Sequence, residues 1–114
     1  IETPEGVANI SEMGKVEGVD MLFIGPNDLS CSLDKFAQYE DPEFVDLIEK
    51  AENAIKETGK LLGTIPYGKF GWQTILDRGF NLTTAGTEVA LLREAAVNII
   101  KDHSANNRSE QAAE

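Results

Sequence analysis

Three short apolar runs and one long amphipathic stretch set the pattern of the chain. Met21-Leu22-Phe23-Ile24 stops at Gly25-Pro26, Leu61–Ile65 stops at Pro66, and Phe80–Ala85 stops at Gly86. Short apolar runs bounded by turn residues read as buried strands of a parallel sheet. Ile1-Glu2-Thr3, ahead of Pro4, reads as the end of a further strand, and a chain opening there reads as a fragment or a processed product. Between these runs the apolar positions recur at helical spacing. Glu5–Val16 carries Val7, Ile10 and Met13. Phe44, Leu47, Ile48, Ala51, Ala54 and Ile55 make one face of a helix opened by Asp41-Pro42-Glu43 and closed by Gly59. Phe70–Arg78 predicts a short helix with Phe70, Ile75 and Leu76 inward, and Val89, Leu92, Ala96 and Ile99 line a last helix ending near Lys101. Leu29–Tyr39 has mixed polarity and reads as a long loop or a short helix. Residues 104–114 are polar and read as a disordered tail, which leaves a domain over residues 1–103.

Strands alternating with helices of ten or more residues imply an α/β fold with a parallel sheet. Four such βα units make half of an eight-stranded (β/α)8 barrel, here its carboxyl-terminal half. An open doubly wound sheet shares the same local grammar. No Gly-x-Gly-x-x-Gly follows a strand and no Gly-x-x-x-x-Gly-Lys-Ser/Thr occurs, so neither dinucleotide nor P-loop nucleotide binding has its fingerprint.

Charge narrows the range of partners. With 10 basic and 20 acidic residues among 114, the net charge is −10. The basic residues are scattered, which argues against nucleic acid and against anionic membrane surfaces. No apolar run approaches the roughly 18 residues of a membrane span. The single cysteine, Cys31, excludes an internal disulfide within the chain and fits a reducing, cytoplasmic compartment. Its role as a nucleophile would need a base, and the one histidine, His103, lies near the polar end of the chain and reads as solvent-facing.

Two carboxylates stand out. Glu2 and Asp28 each follow a strand end, one βα unit apart, where parallel α/β sheets and barrels keep their chemistry. Neighbouring strands lie about 4.8 Å apart, so such carboxylates can share an ion. Oxygen ligands completed by water and substrate suit Mg²⁺ or Mn²⁺, with Co²⁺ a third candidate. Spacing alone reads first as Glu2 a terminal acid and Asp28 a helix N-cap.

Ile1-Glu2-Thr3-Pro4-Glu5-Gly6-Val7-Ala8-Asn9-Ile10, followed by Gly18-Val19-Asp20 and Met21–Ser30 with its Phe-Ile-Gly-Pro-x-Asp-Leu-Ser motif, resembles the HpcH/HpaI aldolase family, and the similarity runs to about Lys101. The resemblance implies a metal-dependent (class II) aldolase on a (β/α)8 barrel. It would cleave a 4-hydroxy-2-oxo acid to pyruvate, or a similar 2-oxo acid, and an aldehyde. The motif Glu falls on Glu2 and the motif Asp on Asp28, as the metal pair. The backbone amides of Asn27 and Asp28 fall where the substrate carboxylate is received, and the ion would polarise the keto oxygen. No lysine lies within the four strands, which disfavours a Schiff-base route. The family's general base and arginine have no counterpart here and are expected on earlier strands, so the catalytic residues of this chain stay unassigned. The family's Val-Gly-x-Asp is replaced by Ala85-Gly86-Thr87-Glu88, with Glu88 a loop acid or an accessory carboxylate. Lys69 and Tyr67 are candidates for a distal substrate carboxylate, or part of a solvated loop. Trp72 reads as core or interface. By resemblance the protein forms homo-oligomers through the Val89–Lys101 helix. Two other readings remain beside this one: a citramalyl- or malyl-CoA-type lyase, and a non-catalytic barrel piece or assembly subunit.

Overall fold

The computed structural model describes residues 1–111, with side chains over 1–103. Its most regular element is the helix the sequence marked best, α4 (Pro42–Thr58). The Asp41 carboxylate accepts from the Glu43 amide at 2.9 Å, Pro42 opens the helix, and Gly59 closes it at φ 72°, a conformation costly for any residue with a Cβ. Phe44, Ile48, Ala51 and Ile55 form its buried face.

That face covers a parallel sheet in the order β1 (Met21–Ile24), β2 (Leu61–Thr64), β3 (Leu82–Thr83). Phe23 pairs with Gly63, and Gly63 with Leu82. A fourth strand position lies on the other side of β1. The Ile1 amino group donates to Phe23 O at 2.6 Å and Gly25 N donates to Ile1 O at 3.0 Å, the bonding pattern of a parallel ladder. The strand end read at Ile1-Glu2-Thr3 is therefore in register with β1.

Helices lie against one face of the sheet. α1 (Pro4–Ala8), α2 (Ile10–Gly14) and α3 (Pro26–Ser32) pack on α4, and the core gathers Ile10, Leu22, Ile24, Leu29, Leu62 and Ile75 with the α4 face. The opposite face carries Met21, Phe23, Leu61 and Leu82, with Leu61 50% and Leu82 44% exposed. A Cβ on Gly63 would stand 2.6 Å from Phe23 Cδ2, so the ring lies directly over the glycine backbone.

Several boundaries differ from the pattern reading. The first helix is broken at Asn9 (φ −95°, ψ 2°), although Asn9 N still bonds Glu5 O and Met13 N bonds Asn9 O. Leu29–Tyr39 divides into the end of α3 and a loop. The helix α5 covers Trp72–Asp77, because Phe70 instead bridges backbone to backbone with Tyr67. Leu76, read as inward, is 39% exposed. Trp72, read as core or interface, is half exposed on the surface of the chain. The last helix, α6 (Glu88–Gln111), continues ten residues beyond Lys101, so the expected disordered tail is helical as far as Gln111 and residues 112–114 lie outside the described residues. Among the described residues no helix is long and apolar enough to cross a membrane.

Candidate metal and substrate site

β1 ends because Pro26 cannot donate to a ladder, and the proline's fixed φ starts α3 at once. The turn Gly25-Pro26-Asn27-Asp28 is thereby held at the carboxyl end of β1. Ile1, paired beside β1, places Glu2 alongside Gly25. The two carboxylates converge there. A Cβ built on Gly25 would lie 3.3 Å from Asp28 Oδ2, 3.4 Å from Glu2 Oε1 and 3.0 Å from Glu2 Cγ. The separation of the two oxygens therefore cannot exceed the sum of the first two distances. Glycine at this position leaves the space that both acids occupy. Both are exposed, and neither carboxylate accepts a hydrogen bond among the described residues.

The first N–H groups of a helix have no partner within it. In α3, Leu29 N bonds Gly25 O at 2.9 Å, which leaves the Asn27 and Asp28 amides. The carbonyls one turn back are engaged elsewhere: Phe23 O accepts from Ile1, and Ile24 O accepts from Thr64 Oγ1 at 2.9 Å. Neither the Asn27 nor the Asp28 amide has a backbone acceptor among the described residues, which leaves both available to an anionic group beside the carboxylate pair.

Among the described residues no three His, Cys, Asp or Glu side chains cluster as a metal cage. Two carboxylates are nonetheless a donor set that suits Mg²⁺ or Mn²⁺, which keep water and substrate oxygens in their remaining positions. The donor chemistry fits the ion.

Other candidate groups lie apart from this pair. Tyr67 is 5% exposed and belongs to the core, and its hydroxyl accepts from Arg78 Nη1 at 3.2 Å. Arg78 also pairs with buried Glu52 at 2.5 Å and stacks its guanidinium 4.9 Å from the Phe70 ring. Burial pushes the Glu52 carboxyl above its ordinary range, and Arg78 offsets this only in part. Lys69 is exposed and pairs with Glu40 at 3.0 Å. Glu88 stands in the first turn of α6, where the helix dipole favours an acid. Cys31 and His103 are exposed on α3 and α6. Cavities of about 460 and 370 Å³ flank Tyr39, Glu40, Lys69 and Phe70, away from the Glu2–Asp28 pair.

Pattern reading missed Tyr39, whose hydroxyl donates to Asn27 Oδ1 at 2.5 Å. Burial raises this phenol's pKa above its ordinary value. It also missed Thr83 and Thr84 at the end of β3, whose hydroxyl oxygens are shielded from solvent without a partner among the described residues. A Tyr in a mixed-polarity loop and a Thr pair in a strand carry no distinguishing local signal.

A parallel βα protein with paired carboxylates and free amides at its strand ends has the layout of an α/β enzyme. The chain belongs to the HpcH/HpaI aldolase/citrate lyase family, whose sequence model matches residues 1–95. It is 33% identical over 113 residues to a hydroxypyruvate/pyruvate aldolase of Delftia acidovorans, covering 99% of this chain and 42% of that protein. It is 35% identical over 96 residues to a 4-hydroxy-2-oxo-heptane-1,7-dioate aldolase of Escherichia coli, covering 84% and 37%. The crystal structure of an HpcH/HpaI aldolase from Desulfitobacterium hafniense superposes with a TM-score of 0.77 at 27% identity, covering 90% of this chain and 40% of that one. A family member from Burkholderia cenocepacia shares the fold at TM-score 0.82 and 24% identity, covering 91% and 40%. The chain spans about two fifths of the length of the relatives it matches.

Proposed function

We propose that this chain carries the carboxyl-terminal portion of a (β/α)8 barrel and, with it, the metal-holding part of the active site of a carbon–carbon lyase. The reaction is cleavage of a 4-hydroxy-2-oxo acid to pyruvate, or a close 2-oxo acid, and an aldehyde. The observation that carries this reading is the convergence of Glu2 and Asp28 over Gly25 at the strand ends. Family membership and relatives named as aldolases support the reaction class.

In this reading Glu2 and Asp28 hold a divalent ion, Mg²⁺ or Mn²⁺. Bound there, the ion supplies Lewis acidity toward the 2-oxo group. The Asn27 and Asp28 amides receive the substrate carboxylate and orient it, which fixes the keto group relative to the carboxylate pair. Pro26, with its fixed φ, opens the helix turn that carries those amides. The proton transfers fall to groups on other strands of the complete barrel. The protein is expected to assemble as a homo-oligomer in the cytoplasm, with small 2-oxo acids and aldehydes as its ligands.

The test is pyruvate release from a 4-hydroxy-2-oxo acid by the full-length protein, with and without a chelator. Activity should vanish with chelator, return with Mn²⁺, and be lost in Asp28→Asn while the fold persists. Chelator-resistant cleavage, or full activity in Asp28→Asn, would remove the metal pair from the reaction.

A further inference from the structure

We infer that Tyr39 is a positioning residue for Asp28, acting through Asn27, and that the loop 33–41 between α3 and α4 is built to hold it there. The inference rests on the function proposed above, which gives the Asp28 carboxylate an ion to meet. Asp28 is exposed, and its carboxylate accepts no hydrogen bond among the described residues. Its place therefore depends on the turn that carries it. Within that turn, the preceding residue is tied twice. Tyr39 Oη donates to Asn27 Oδ1 at 2.5 Å, and Ser30 Oγ donates to Asn27 O at 2.8 Å. Ser30 is fully buried, and its hydroxyl also accepts from Ala37 N at 3.2 Å while its carbonyl accepts from Lys35 N at 2.9 Å. Both ties thus run into one loop.

That loop closes only by placing two ordinary residues in the left-handed region, Asp34 at φ 57° and Ala37 at φ 60°. Alanine has no polar side chain to compensate this conformation locally. Such backbone persists where surrounding contacts over-determine it. They do so here. The Tyr39 ring meets Phe44 and Tyr67 edge-on, each with centroids 5.5 Å apart, and lies against Gly68, where a Cβ would stand 3.1 Å from Tyr39 Cδ2. Lys35 pairs with Asp41 at the far end of the loop and with Glu43 in the first turn of α4, both at 2.7 Å. A phenylalanine at position 39 would keep every ring contact and release only the Asn27 amide.

The experiment is Mn²⁺ titration of the full-length protein by isothermal calorimetry, alongside thermal melting. Tyr39→Phe should bind Mn²⁺ roughly tenfold more weakly, the scale of losing an outer support of a metal ligand. Asn27→Ala should lose a similar factor, and the double variant should be no weaker than either single one. Wild-type Mn²⁺ affinity in Tyr39→Phe would overturn the inference, whatever happens to the melting temperature, because a purely structural tyrosine moves only the latter. Losses that multiply in the double variant would also overturn it, since Tyr39 would then not act through Asn27. Should Tyr39→Phe fail to fold, Asn27→Ala decides: weakened binding supports the inference and wild-type binding overturns it. Asp28→Asn separates the two levels. If it binds Mn²⁺ like the wild type, the metal site itself is wrong. If it abolishes binding while Tyr39→Phe does not weaken it, only the positioning role fails.

Discussion

Gly25→Ala is the substitution that bears most sharply on the site. Gly25 has φ −93° and ψ 90°, open to any L-residue and compatible with the following proline, so the backbone does not resist the change. The resistance comes from the site. The new methyl would stand 3.0 Å from Glu2 Cγ, 3.3 Å from Asp28 Oδ2 and 3.4 Å from Glu2 Oε1. The first contact is too close, so the Glu2 side chain must move by a few tenths of an ångström. Against that small steric cost, losing a glycine stabilises by about 0.4–1 kcal/mol through the unfolded chain. Net stability should change by less than about 1 kcal/mol. Metal ligation is less forgiving, since ligand distances are held within about 0.2 Å. We expect Mn²⁺ affinity to fall by about 10–100-fold, or about 1.4–2.8 kcal/mol. Calorimetric titration and thermal melting on the same sample separate the two effects. Unchanged Mn²⁺ affinity with an unchanged melting temperature would refute the argument that the two carboxylates meet over this glycine.

Two further expectations concern the fold that holds the site. Phe44 is fully buried, with its ring 5.5 Å from Tyr39 and 6.1 Å from Tyr67, so Phe44→Ala should cost about 3–5 kcal/mol in urea unfolding; a loss under about 1.5 kcal/mol would mean the aromatic cluster is loosely packed. Asp41 is held below its ordinary carboxylate range chiefly by the hydrogen bond from Lys35. The stability it contributes is therefore present above its ordinary value of 3.8 and is lost as pH falls through the lower folded value. Asp41→Asn keeps the helix cap and should flatten that acid limb of the stability–pH curve, whereas an unaltered limb would remove Asp41 from acid unfolding.

Much of the scaffold was legible because local chemistry and tertiary context agree. Asp41, Pro42 and Gly59 bound α4 where capping and φ preferences put them, and Gly25-Pro26 ends β1 as proline must. The strand end at Ile1 was readable ahead of Pro4, whereas spacing left Glu2 and Asp28 open between a pair and a terminal acid with a helix cap, and only the resemblance of their motifs favoured the pair. Illegible were features that depend on distant partners. Phe70 satisfies the helical spacing of its neighbours, yet its backbone pairs with Tyr67 and its ring receives Arg78. Leu61 and Leu82 are apolar residues of strands, yet they are 50% and 44% exposed on the sheet face opposite α4 among the described residues. Apolar spacing says which residues avoid water and not which partner covers them. α6 passes Lys101 because polar residues can continue a helix without an apolar stripe. The Tyr39–Asn27 bond joins residues twelve apart across a loop with left-handed turns, which no periodicity encodes.

The central claim is that Glu2 and Asp28 together hold one divalent ion. Its most direct test is Mn²⁺ stoichiometry and affinity, measured by electron paramagnetic resonance on the full-length protein, for the wild type, Glu2→Gln, Asp28→Asn and the pair combined. The account predicts one tight ion per chain in the wild type, strong weakening in each single variant and no bound ion in the double. A double variant that still binds one ion per chain with wild-type affinity would contradict it.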